Sequence, residues 1–118
     1  MALTTFHFEA TLPASADYLE PARELTRHML AYCGLADHDA AAVALSVERA
    51  MGLGLPQTGT HGSVTLRFER QNTRLEILVA GAHLAAVAPA LHGIDHVTVE
   101  TRNGGHAYRL VRHVPPAE

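Results

Sequence analysis

The segment SVTLRFERQNTRLEILVAG, residues 63–81, alternates apolar and polar positions on both sides of a short polar interruption. Val64, Leu66 and Phe68 form one inward set, and Leu75, Ile77 and Val79 form a second. A period of two belongs to strands with one buried face, so the segment reads as two antiparallel strands. Gln71-Asn72 between the two sets reads as a two-residue hairpin turn, and Gly81 ends the second strand. A hairpin with a single apolar face needs a covering layer. The flanking sequence supplies one.

Upstream, Thr4 to Leu12 alternates in the same way, with Phe6, Phe8, Ala10 and Leu12 on one side. Pro13 stops that strand, and Ser15 or Asp17 can cap a helix whose first turn tolerates Pro21. This helix carries Tyr18, Ala22, Leu25, Met29, Leu30 and Cys33 at three-to-four spacing and ends at Gly34. Asp37 caps a second helix, with Ala40, Val43, Ala44, Val47, Ala50 and Met51 inward. It ends near Gly52 or Gly54, since Pro56 cannot continue it. Gln57 to Gly62 is a turn. Downstream of the hairpin, His83 to Leu91 reads as a short alanine-rich helix interrupted or ended by Pro89. Two strands follow, Val97–Arg102 and His106–Val114, joined by Asn103-Gly104-Gly105. The predicted order is β-α-α-β-β-α-β-β. It is an α+β two-layer sandwich, with a mixed, mostly antiparallel sheet of about five strands. Two long helices and one short helix cover one face. Residues 1–118 form one domain, which fits the length.

At 47% hydrophobic and 18% charged, the chain is too apolar for disorder. Its formal charge is −3 with nine histidines counted neutral, and all nine basic residues are arginine. No run of three basic residues occurs, so no nucleic-acid face is indicated. No apolar run approaches membrane-spanning length, and no charged leader precedes an apolar stretch. The lone Cys33 excludes an internal disulfide and lies on an apolar helical face. The expectation is a cytoplasmic protein.

SVERAMGLGLPQ, residues 46–57, joins the polar end of the second helix to a Gly-Leu-Gly-Leu-Pro run. A glutamate followed at once by glycines raises the question of a phosphate-handling loop. The order of elements, together with LPASADYLEPARELTRHMLAYCGL, DHDAAAVALSVERAM, the hairpin and DHVTVETRNGGHAYRLVRH, resembles the histidine-kinase-like ATPase superfamily. The branch is that of bacterial anti-sigma-factor serine kinases. The similar pieces span nearly the whole chain and include Arg23 and the Gly34-Leu35 exit.

The resemblance implies a catalytic box on the second helix, a glutamate followed four residues on by a magnesium-binding asparagine. Glu48 stands at the glutamate place, Gly52 at the asparagine place, and Pro56 where the family often has histidine. Glycine has no side chain to ligate a metal, so a triphosphate would bring uncompensated charge towards Glu48. The adenine-reading turn of the family is Asp-x-Gly. Here Val79 stands two before Gly81 and offers no acceptor to the base. The family's lid and second glycine-rich loop would fall in Ala82 to Asp95, which holds only Gly93. Glu48, Gly52, Val79 and Gly81 thus mark a vestigial pocket, and no cofactor is expected. Gly52 and Gly54 read as helix termination.

The resemblance implies a non-catalytic regulator that binds a sigma factor or an anti-anti-sigma-type protein, and a homodimer. The alternative is a divergent ATP-binding serine kinase using Glu48; a third reading is a small-molecule sensor in the altered cleft. His92 and His96 around Asp95, with His61, lack metal-ligand spacing, and no metal is expected. No nucleophile-elbow motif accompanies the histidines. The apolar stretch 83–91 is expected either to pack down over the vacated cleft or to present a patch to a partner.

Overall fold

The computed structural model describes residues 5–55, 62–86, 90–102 and 105–115. Five strands make one sheet in the order β1-β2-β3-β5-β4. They are β1 (Thr5–Pro13), β2 (Ser63–Gln71), β3 (Arg74–Gly81), β4 (His96–Arg102) and β5 (Gly105–His113). Every pairing is antiparallel, so the mixed sheet expected from the sequence is wholly antiparallel. Helices α1 (Leu19–Tyr32) and α2 (Asp37–Gly52) lie between β1 and β2 in the chain and cover one face. The architecture is the α+β two-layer sandwich read from the alternation.

The alternation places Val64, Leu66, Phe68, Leu75, Ile77 and Val79 in the core, all at most 1% exposed. Tyr108 and Leu110 continue that layer on β5, because the register sets Val79 opposite Tyr108 and Ile77 opposite Leu110. From α2, Ala40, Val43, Ala44, Val47, Ala50 and Met51 close over them. Burying each valine- or methionine-sized side chain contributes about 1.5–3 kcal/mol. Parity in the strands and helical spacing in α2 therefore select the same core.

Several local expectations change. The hairpin turn is Asn72-Thr73, since Gln71 pairs with Arg74. Asn72 takes a φ of 53°, a left-handed conformation that asparagine tolerates. Ser15 does cap, accepting from the Asp17 N–H at 3.3 Å, but it opens a 3-10 turn, Ala16–Tyr18, ahead of α1. Tyr18 lies in that turn, 39% exposed, and Thr26 takes an inward place in α1 by donating to the Ala22 carbonyl at 2.8 Å. α1 ends in a Schellman arrangement: Gly34 at φ 91°, with Gly34 N–H to Ala31 and Leu35 N–H to Leu30. Asp37 is the first residue of α2 rather than its cap; Ala36 holds the cap position and makes no side-chain bond. Asp37 and Asp39 instead place negative charge in the first turn, where the helix dipole favours it.

The short third helix does not form in residues 83–86 or 90–91, which are turn and irregular backbone, while 87–89 lie outside the described residues. Arg102 pairs with Gly105, and Asn103 and Gly104 lie outside them too, as do Pro56 to His61. Among the described residues, no helix is long and apolar enough to cross a membrane.

Candidate functional site

The four residues read as a vestigial pocket fall into three environments. Glu48 lies on α2 and points to α1, where its carboxylate accepts from Arg23 at 3.3 Å. Its side chain is 19% exposed, and Arg23 also approaches Glu20 at 3.9 Å. The carboxylate is thus a helix–helix tie. Val79 is fully buried at the centre of β3, between Leu66 and Tyr108. Only Gly52 and Gly81 come towards one another, through the segment that follows β3.

That segment is strapped down by polar side chains. The His83 ring donates from Nε2 to the Met51 carbonyl in the last turn of α2, at 2.9 Å. His106 Nδ1 donates to the Leu84 carbonyl at 2.9 Å, and the Tyr108 hydroxyl donates to the Ala85 carbonyl at 2.9 Å. Leu84 between these ties is 3% exposed and joins the core, and its N–H turns back to the Gly81 carbonyl at 3.3 Å. Burial pushes the Tyr108 phenol above its ordinary range, with the Ala85 bond opposing that shift. Nε2 is the donor to Met51, and Nδ1 is buried with no partner among the described residues.

Glycines permit this closeness. At Gly54, φ is +80°, and a Cβ would stand 2.7 Å from the His83 carbonyl oxygen. At Gly105, a Cβ would meet Ala82 Cα and the Gly81 oxygen at 2.7 Å. Gly52 sits against Leu19, whose methyls lie 3.4 and 3.5 Å from where its Cβ would be. So Gly52 and Gly54 serve the helix exit and its contact with residues 81–83.

Of the residues considered for metal binding, Asp95 is engaged by His113. Asp95 accepts from the His113 backbone N–H at 2.7 Å and faces the His113 ring at 3.2 Å, and these bonds hold its carboxyl below the usual range. His92 and His96 are exposed, and the His92 carbonyl accepts from Ser46 at 2.6 Å. His61 lies outside the described residues. Among those described, no three His, Cys, Asp or Glu gather in a way that could hold a metal.

A shallow polar groove of about 320 Å³ borders the strap, lined by Ser63, Thr65, Ala80, Gly81, Ala82, Gly105 and His106. Apart from Gly81, sequence reasoning assigned no site role to these residues, because serine, threonine and glycine at strand ends carry no distinctive spacing. The helix-free face of the sheet was likewise legible only as alternating polar positions. It carries two ion-pair groups. In one, Arg67 approaches Glu9 and Glu69, with His7 on Glu69; in the other, Glu76 joins Arg74 to Arg109, and Arg109 bonds Glu100 at 2.5 Å. Leu78, flanked in register by Arg67 and Arg109, is only 3% exposed beneath their stems.

No family model matches the chain, and no curated protein matches it.

Proposed function

We propose that this is a non-catalytic protein-binding domain, similar in plan to an anti-sigma factor that has lost nucleotide binding. Its partner would be a sigma factor or an anti-anti-sigma-type regulator. The observation that carries the reading is the strap from His83 to Ala85. Residues 81–85 lie against the exit of α2 and the start of β5, with Leu84 buried between them. Supporting it, Glu48 is spent on Arg23, Gly52 offers no ligand, and Val79 is sealed in the core. A triphosphate placed beside Glu48 would have to displace the Arg23 pair. It would also meet a carboxylate without an intervening cation.

Two measurements test the two halves of the proposal. A thermal-shift titration with Mg-ATP is expected to leave the melting temperature unchanged. Stabilisation by sub-millimolar nucleotide that vanishes in Glu48→Ala would overturn it in favour of a serine kinase; ligand at 100 times its Kd adds about 2.7 kcal/mol. Calorimetric titration against purified sigma factors and anti-anti-sigma-type proteins of the same genome is expected to yield one saturable partner. Silence across that set would remove the assigned partner class.

A further inference from the structure

We draw no further inference here: the strongest candidate, the helix side of the outer strand β4, where Val97 and Val99 lie half-buried beside Leu91 and Ile94, is an apolar edge for which nothing in the structure shows what covers it.

Discussion

β3 runs between two places where the gap between helices and sheet is closed by side chains reaching backbone carbonyls, and the two use different chemistry. At the hairpin end, Arg70 is 2% exposed. Its Nε donates to the Asn72 carbonyl at 2.8 Å, Nη1 to the Cys33 carbonyl, and Nη2 to the Pro115 carbonyl at 2.7 Å. One cation thus ties together the hairpin, the end of α1 and the segment after β5, without a carboxylate among these partners. At the other end, three side chains, those of His83, His106 and Tyr108, each take one carbonyl. A guanidinium has five donors in a rigid fork, so converging carbonyls can compensate its charge. The Cys33 carbonyl adds the negative end of the α1 dipole. An imidazole carries its two nitrogens on opposite sides of the ring, so His83 closes its contact through Nε2 while Nδ1 is unmet among the described residues. One end concentrates its ties in a single residue; the other divides them.

That difference sets the largest expected effect. Arg70→Ala removes the donors of three carbonyls at once and leaves a cavity, and is expected to cost about 3–5 kcal/mol in urea unfolding. Arg70→Lys keeps the charge but not the fork, and should recover only part of that loss. A cost below about 1 kcal/mol for Arg70→Ala would mean that the three carbonyls find water instead. At the divided end, Tyr108 and His106 each hold one tie, so no single truncation there should match it.

The closeness of the divided end is tested by a pair of glycines with the same backbone and different surroundings. Gly54 has a φ of +80° and Gly62 a φ of +75°. Nothing stands within 4 Å of a Cβ at Gly62, whereas at Gly54 the His83 oxygen lies 2.7 Å away. Gly62→Ala should therefore show only the left-handed penalty, about 1–2 kcal/mol. Gly54→Ala should exceed it by at least about 1 kcal/mol, because the neighbour is backbone and cannot rotate aside. Equal costs would break the view that residues 81–83 press on the exit of α2.

Much of the fold was written in simple periods, and the polar closures were not. Strict alternation placed Val64, Leu66, Phe68, Leu75, Ile77 and Val79, and helical spacing placed Val43, Val47 and Met51, because both patterns follow directly from backbone geometry. The same parity puts residue 70 inward, yet an arginine at an inward place reads as the end of a strand's apolar face. Its burial depends on Cys33 and Pro115, 37 and 45 residues away, and no local pattern carries that. Residues 83–91 have helix-forming alanines, but the described part is held as turn by bonds to Met51 and Tyr108. Tertiary contacts override propensity there. At the candidate site, the glycines 52 and 54 were legible as a helix exit. The engagement of Glu48 by Arg23 crosses 25 residues and was not.

The arginine end also encloses the chain's one thiol, and this gives the smallest of the expected effects. Cys33 is fully buried, and burial raises its pKa from 9.0 to about 11, while the charge of Arg70 pulls it down. For an acid whose folded pKa is raised, the folded chain keeps a proton that the unfolded chain releases. Stability is then fully present below pH 9, falls as the pH rises from 9 towards 11, and is level again above that. At pH 10 the loss is expected to be about 1.4 kcal/mol. Tyr108, raised by burial as well, adds a slope of the same sign, so the difference between the parent and Cys33→Ala isolates the thiol. Unfolding measured at pH 8 and pH 10 in both proteins should show a smaller alkaline loss without the cysteine. If the loss is the same in both, the slope belongs to the tyrosines, and the space beside Arg70 admits enough water to solvate a thiolate.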